Sequence, residues 1–550
     1  MDYDKLADLR FPDITDTIDD LEKRFPARNL AEGAEVTRFA PSPTGYMHIG
    51  GLYAALISSR LARQSGGVFY LRVEDTDKKR EVEGGFEEII HSLGRFHVFF
   101  DEGPFHDGRN NPVYAPYRQS ERKQIYQACV KELVKKGYAY PCFCSEEELN
   151  ALKKMQEEKK EAIGYYGAYA KCRNLSLDDI KEKINQGKGY VVRLKSPGSL
   201  DGRVVCHDVV RGDIEMPENS QDIVLLKQDG IPTYHFAHVV DDHFMRTTMV
   251  VRGDEWLSSW PIHIQLFRLC GFEETRFLHI APIAKKDGNG KRKLSKRKDP
   301  EAAVNYYHEN GIPVQAVTEY LLTIANSNYE EWRAANPEAD HMDFPFSLNK
   351  MSNSAALFDV VKLNDISKEV IAKMSVDECY DAIREWAETY NGRMYARTVE
   401  DPGKFKKTIE LWKFSNGKVR KDIGKWSELP EMFDYLYDDD WTGEAITEVM
   451  TKPLSDIREV LSAYKAGYSL PESSDEWFSE VKTVAAEHGY TSDRKEYKAH
   501  PENFKGTVGD FCSIIRAAVT GRENSPDLYS ILQILGDDEV KRRLDGALLK

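Results

Sequence analysis

The chain has 550 residues, 41% of them hydrophobic, and carries a formal net charge of −15 at pH 7. That length supports several domains, each able to bury its own core, and no apolar run approaches a membrane span. The acidic balance excludes bulk electrostatic attraction to nucleic acid, so any RNA-binding surface must be a local basic patch on an acidic body.

Residues 1–35 form an acidic extension containing Asp13, Asp16, Asp19 and Asp20. A short amphipathic helix packed on the body and a flexible lead both fit it. Its first residues, Met1-Asp-Tyr-Asp-Lys, lack a secretory leader pattern. Val36 to Phe39 then reads as a buried strand, and Leu52, Ala55, Leu56 and Ser59 keep helical spacing up to Arg63. Gly66-Gly67 stops that helix and Val68 to Val73 is a second strand, which predicts a βαβ unit. Its first turn is Arg38-Phe-Ala-Pro-Ser-Pro-Thr-Gly-Tyr-Met-His48-Ile-Gly-Gly51, stiffened by Pro41 and Pro43. Gly45, Gly50 and Gly51 suit close approach of a nucleotide to a helix start, where free N–H groups favour anions. His48 can donate to a phosphoryl oxygen as charge develops there. A tight βα turn with a structural histidine fits the same residues.

Further along, Cys142-Phe-Cys144 is followed by Cys172, and thiolates one residue apart can share a tetrahedral ion. Ordinary reduced cysteines are the alternative. Cys129, Cys206, Cys270, Cys379 and Cys512 are too scattered for a disulfide framework, so a reducing cytoplasm is expected. Ser145 to Lys160 reads as a charged helix. Lys285 to Lys298 is a strongly basic stretch that Gly288, Asn289 and Gly290 are expected to make mobile. Within it Lys293 and Lys296, three apart, can clamp a triphosphate when the loop closes; a solvated loop or an RNA-backbone contact is the plainer reading. Val314–Ala325 is a predicted helix, and helical periodicity dominates from about residue 376. A second basic stretch runs from Lys404 to Lys425, interleaved with Phe405, Trp412, Phe414 and Trp426. Those ingredients serve either base stacking or a helical core.

Taken together, these motifs resemble the class I aminoacyl-tRNA synthetases, and within them the bacterial-type glutamyl-tRNA synthetases. His48-Ile49-Gly50-Gly51 stands where the class has His-Ile-Gly-His, with Gly51 in place of the second histidine. Lys293-Leu-Ser-Lys-Arg297 looks like Lys-Met-Ser-Lys-Ser, with Leu294 and Arg297 as departures. The resemblance continues through Arg72-Val-Glu74-Asp-Thr-Asp77, Pro116-Tyr-Arg118-Gln-Ser120, Pro232-Thr-Tyr234 to Asp242, and Val250-Val-Arg252-Gly-Asp-Glu-Trp256. It ends at Arg516-Ala-Ala-Val-Thr-Gly521 and Leu528-Tyr-Ser-Ile-Leu532, and so spans roughly residues 36 to 550.

The resemblance implies a multidomain α/β fold: a Rossmann-like parallel sheet, an inserted acceptor-binding domain and an α-helical anticodon-binding region. It assigns 1–35 to the extension, 36–115 and 222–290 to the two halves of the nucleotide-binding domain, and 116–221 to the insertion. Residues 291–375 become the signature loop with a stem-contact domain, and 376–550 the anticodon-binding region. The implied activity is ATP-dependent attachment of glutamate to tRNA(Glu) through glutamyl-adenylate, with Mg²⁺ on the phosphates and tRNA bound before activation. His48, Lys293 and Lys296 are the implied catalytic residues, joined at ATP by Thr44, Gly45, Gly50 and Gly51. Arg38, Ser42, Glu74, Tyr234 and Arg252 are placed around the amino acid. Glu74 suits the ammonium, and the arginines suit carboxylates because a planar fork meets them bidentately. His238 is a departure from relatives, which leaves its own contact with substrate open. Arg80, Lys406 and Lys407 are the implied tRNA contacts. Some relatives carry structural zinc, which here implies Cys142, Cys144, Cys172 and, one residue off the usual spacing, Tyr169. Asn174 stands where other relatives place a histidine ligand. A cytoplasmic monomer with no membrane association is expected.

A glutaminyl enzyme shares the fold but usually carries a C-terminal β-barrel, and a paralogue that glutamylates queuosine lacks the long C-terminal region. A non-catalytic tRNA binder has no need of His48, Lys293, Lys296 and Arg252 together.

Overall fold

Whether the acidic extension is ordered is settled by what its apolar residues touch. The computed structural model describes residues 2–43, 45, 47–77, 82–415, 417–437 and 446–548. The extension forms two helices, α1 (Tyr3–Arg10) and α2 (Ile18–Arg24), the second opened by a capping box between Thr17 and Asp20. Strand β1 (Val36–Phe39), helix α3 (Ile49–Ser65) and strand β2 (Val68–Leu71) follow as the expected βαβ unit, with β1 and β2 parallel. Gly66 ends α3 in the left-handed region at φ 70°, where it accepts no Cβ penalty. Next come α4 (Gly85–Arg95), α5 (Lys123–Lys135), β3 (Ala139–Cys142), α6 (Glu146–Lys159) and α7 (Leu177–Asn185). The predicted charged helix is α6, begun by a capping box between Ser145 and Glu148.

Strands β4 (Val191–Leu194) and β7 (Val224–Leu226) join β3 in an antiparallel sheet, while β5 (Arg203–Asp208) and β6 (Gly212–Pro217) form a hairpin. Helix α8 (Tyr234–Phe244) leads to β8 (Met249–Gly253), α9 (Trp260–Cys270) and β9 (Arg276–Ile280), and β8 and β9 run parallel. β1 lies beside β8: the Thr248 N–H donates to Val36 O at 2.9 Å, and Arg38 reaches Val251 O. The two βα halves, far apart in sequence, therefore put their strand ends side by side, the usual place for a ligand in a doubly wound sheet.

The basic stretch begins within an antiparallel hairpin, β10 (Ile283–Asp287) with β11 (Gly290–Lys293). Gly288, at φ 57°, makes its tight turn. The extension is ordered. Leu6, Ala7, Phe11, Ile14, Leu21 and Phe25 are buried in one core with Tyr126, Val130 and Leu133 of α5 and Phe244 of α8. Lys131 donates to Phe11 O and Ile14 O, and Glu22 pairs with His243 (2.6 Å) and Arg246 (2.5 Å). Of the two readings of this segment, the packed helix holds.

The chain divides into two compact units, Met1–Tyr306 with Thr318–Phe358, and Tyr307–Val317 with Asp359–Lys550. The predicted helix Val314–Ala325 is present, and from Thr318 onward it belongs to the first unit. In the second unit, helices such as Val376–Tyr390, Pro402–Lys413, Leu454–Ala466, Val508–Thr520 and Leu528–Leu535 surround a core of Ile383, Trp386, Phe511, Ile514 and Leu532. Phe405, Trp412 and Trp426 of the second basic stretch belong to that core. They are not a stacking surface, because their rings are buried; Lys413 is buried as well, donating to Ile371 O and Ala372 O. Only Phe414 of that set is exposed. Among the described residues no helix is long and apolar enough to cross a membrane.

Candidate active site

The two sequence motifs meet. His48 is the N-cap of α3: its Nδ1 accepts the Gly50 N–H at 3.0 Å. A Cβ at Gly50 would lie 3.2 Å from that nitrogen, so glycine suits the cap. With Nδ1 accepting, Nε2 carries the proton and faces Leu294 O of the basic segment at 3.3 Å. Burial lowers the His48 pKa, the Leu294 hydrogen bond works against that, and the charges of Lys296 and Lys293 add to it. The imidazole is thus held neutral, as an N–H donor.

A cavity of about 780 Å³ opens beside this contact. His48, Gly50, Gly51 and Lys293 line one part of it, and Arg38, Ser42, Glu74, Tyr234 and Arg252 line another. Lys293 is paired with Glu255 at 3.1 Å, both about half exposed. Lys296 is not among the lining residues, and partial desolvation lowers its pKa. Gly45 sits on the turn at φ 120°, also outside the lining. Thr44 and Arg80 lie outside the described residues. Arg292 holds the base of the lysine segment through a two-pronged pair with Asp299 (2.5 and 2.7 Å), and Asp299 also accepts the Ser295 N–H at 3.0 Å.

Beneath the cavity lies a buried charge network. Arg72 meets Asp242 at 2.6 Å and Glu74 at 3.1 Å, and Arg38 reaches Asp242 at 3.3 Å. Asp241 takes hydrogen bonds from Gln119, Arg122 and Tyr126. Burial opposes the charged form of Asp242, but Arg72, Arg38 and His238 outweigh it and hold its pKa well below the carboxylate range. At Glu74 burial wins and the pKa rises despite Arg72 and Arg38, so this carboxylate gains from any further cation brought to it.

Arg252 differs. Its guanidinium is buried, its Nε faces His279 Nε2 at 2.9 Å, and one terminal nitrogen faces His263 Nδ1 at 3.0 Å and His238 Nε2 at 3.5 Å. The other terminal nitrogen is buried without a partner. Among the described residues no carboxylate is paired with it, and burial lowers its pKa to about 10. Tyr234 stacks on Trp256 with ring centres 4.4 Å apart, and burial raises its pKa to about 12. His263 and His279 were not singled out by sequence, and Glu255 and Trp256 stood in a quoted motif without a role of their own. Only the His238–Asp242 spacing on α8, four residues, carried a local signal.

At the insertion, the sulfurs of Cys142, Cys144 and Cys172 lie within 4.8 Å of one another. The phenol beside them belongs to Tyr165, 3.2 Å from Cys144 Sγ and accepting the Cys172 N–H at 3.1 Å. Tyr169 is corrected accordingly: its hydroxyl binds Glu161, because the turn at Gly167 to Tyr169 swings that ring outward. The neighbouring Cys172 thiol lowers the Cys142 pKa.

In the second unit a cavity of about 770 Å³ is lined by Lys407, Arg420 and Arg516 together with Glu410, Ser525 and Asp527. Lys406 faces elsewhere, paired with Asp377 at 2.6 Å and lying over the Tyr380 ring.

Residues 35–365 match the family model of the catalytic domain of class I tRNA synthetases (E and Q), and residues 379–548 match an anticodon binding domain. The chain is 49% identical over 547 residues to a glutamate–tRNA ligase of Clostridium perfringens strain 13, covering 99% of this chain and 100% of that one. It is 42% identical to a glutamate–tRNA ligase of Sorangium cellulosum, covering 96% and 97%. Among solved structures, a glutamate tRNA ligase from Elizabethkingia meningosepticum in complex with its amino acid matches with a TM-score of 0.75 at 28% identity, covering 94% of this chain and 99% of that one.

Proposed function

We propose that this chain, which belongs to the class I tRNA synthetases for glutamate and glutamine, attaches glutamate to tRNA(Glu) with ATP in protein biosynthesis. The observation that carries the reading is a single cavity with two chemistries on its walls: an N–H-donating helix start with a lysine hairpin, and an unpaired buried guanidinium beside a carboxylate in want of a cation.

In the first step an α-carboxylate oxygen of glutamate bonds to the α-phosphorus of ATP as the bond to the diphosphate oxygen breaks. Glutamyl-adenylate and diphosphate result. The terminal ribose hydroxyl of the tRNA then bonds to the activated carbonyl carbon, loses its proton, and AMP leaves. Such transfers ask the protein mainly for positioning and charge stabilisation. His48 Nε2–H, relinquishing Leu294 O, donates to a phosphoryl oxygen. Lys293 leaves Glu255 for the triphosphate, and Lys296 adds its charge as the hairpin closes. Glu74 receives the substrate ammonium; Arg252, Arg38, Tyr234 and Ser42 receive its oxygens. Mg²⁺, when bound, offsets phosphate charge.

The insertion, 116–221, receives the acceptor end of the tRNA, 291–375 the stem, and 376–550 the anticodon. Support for the last comes from the matched anticodon domain and from the cation-lined cavity at Lys407. Zn²⁺ would be held by Cys142, Cys144, Cys172 and Tyr165. Two sulfurs bound tetrahedrally at about 2.3 Å lie about 3.8 Å apart, and Cys144 and Cys172 are separated by 3.8 Å. The test is ATP–diphosphate exchange with glutamate, with and without tRNA, followed by charging of tRNA(Glu) and tRNA(Gln). Exchange that requires tRNA(Glu) is expected; none under either condition would overturn the proposal.

A further inference from the structure

Every hydrogen bond around Arg252 has a forced direction. A guanidinium only donates, so each ring nitrogen facing it must be unprotonated. At His279 the other nitrogen, Nδ1, lies 2.9 Å from Asp208 Oδ2, and a carboxylate only accepts. Nδ1 therefore holds the proton and Nε2 is bare toward Arg252. Asp208 is itself fixed by the backbone N–H groups of Val210, Arg211 and His279. His238 is the more distant neighbour, its Nε2 at 3.5 Å from Arg252 and its Nδ1 at 2.7 Å from Asp242 Oδ2 with no hydrogen bond between those two atoms. At His263 the facing nitrogen is Nδ1, so Nε2 carries the proton and donates to His235 Nδ1 at 3.0 Å. Two imidazoles, His279 and His263, thus meet the guanidinium as neutral acceptors. Both carboxylates that could cancel its charge, Asp208 and Asp242, stand one ring away: Asp208 accepts the His279 N–H, and Asp242 accepts from Arg72 and Arg38.

We propose that His263 and His279 are positioning residues for Arg252: by accepting from it as neutral rings they fix the guanidinium while leaving its charge for a carboxylate of the amino acid substrate. A carboxylate in either place would fix it equally well and cancel it, so the choice of imidazole separates orientation from neutralisation. Burial drives the pKa of both rings below the ordinary histidine value, consistent with neutral acceptors. Asp208 completes the device from a distance, since it selects the His279 tautomer. This inference rests on reading the cavity as a glutamate site.

The test compares acceptor-keeping with acceptor-lacking substitutions in the full chain, using tRNA-dependent ATP–diphosphate exchange. Gln places an oxygen near Nε2 and Asn near Nδ1, so His279→Gln and His263→Asn keep an acceptor, whereas His279→Leu and His263→Leu lack one. Each leucine variant is expected to raise KM for glutamate at least tenfold with KM for ATP within twofold, and the matching amide to recover KM to within threefold. If one leucine variant does not fold, the pair at the other position decides. Should neither fold, Asp208→Asn is read: its amide donates to Nδ1 and forces a proton onto Nε2, and a selective rise in the glutamate KM is expected. An unchanged glutamate KM, equal rises for glutamate and ATP, or amides as poor as leucines would overturn the proposal. No exchange by the unsubstituted enzyme would instead overturn the functional reading, and is seen before any variant is made.

Discussion

Replacing Arg252 by glutamine removes a charge that the fold keeps uncancelled, and the structure sets the size of the loss. The guanidinium has a terminal nitrogen with no partner, so an arriving carboxylate makes one or two new charge-assisted hydrogen bonds. Bonds of this kind are worth about 1.5–3 kcal/mol each. Roughly 3–4 kcal/mol is therefore at stake, or about 10²- to 10³-fold in kcat/KM for glutamate at about 1.4 kcal/mol per factor of ten. ATP capture should be nearly untouched. The ligand-free protein should melt no lower than its parent, because Arg252 is only 6% exposed and has neutral partners alone, so the substitution relieves a desolvation cost. Exchange kinetics across a glutamate titration, with a melting curve on the same preparation, measure both quantities. A glutamate KM within threefold of the parent value would refute the reasoning.

Three other outcomes are expected. Lys296→Ala lowers turnover by about 10²-fold or more with little change in glutamate affinity, as when charge is stabilised mainly in the transition state; a matching rise in KM would count against that role. Tyr165→Phe lowers the zinc content of purified protein, read by elemental analysis, while Tyr169→Phe leaves it unchanged; the reverse order would remove Tyr165 from the site. Acid should destabilise the first unit between about pH 6.5 and 4. Burial lowers His279 to about 4 and His238 to about 3, so the unfolded chain binds protons that the fold does not. Their contribution is complete above the unfolded value near 6.5 and is lost as pH falls, by about 1.4 kcal/mol per pH unit for each ring. Urea midpoints that stay flat from pH 7 to 5 would contradict this.

What the sequence revealed was local or motif-borne. Ser145 with Glu148, Gly66, and the apolar spacing of Leu52 to Ser59 each announce an element through neighbours a few residues away. His48 and Lys293 were found because glycines and lysines mark them. Arg252's surroundings were illegible for the opposite reason: His279 and Asp208 are 71 residues apart, and no periodicity connects them. The pairing of β10 with β11 was not legible because glycine serves tight reversals and loose chain alike. Tyr165 and Tyr169 differ by one helical turn of sequence, and the outcome turned on which ring the Gly167 turn leaves facing the thiols.

The packed extension has a consequence for how this chain is made. Glu22 finds its partners only when His243 and Arg246 exist, 221 and 224 residues downstream. At about 5–20 residues per second of synthesis, Phe11, Leu21 and Phe25 leave the ribosome some ten to forty seconds before the surface that shelters them is complete. Through that interval the nascent chain carries a greasy segment without its cover, a natural handhold for a chaperone and a liability in a crowded polysome.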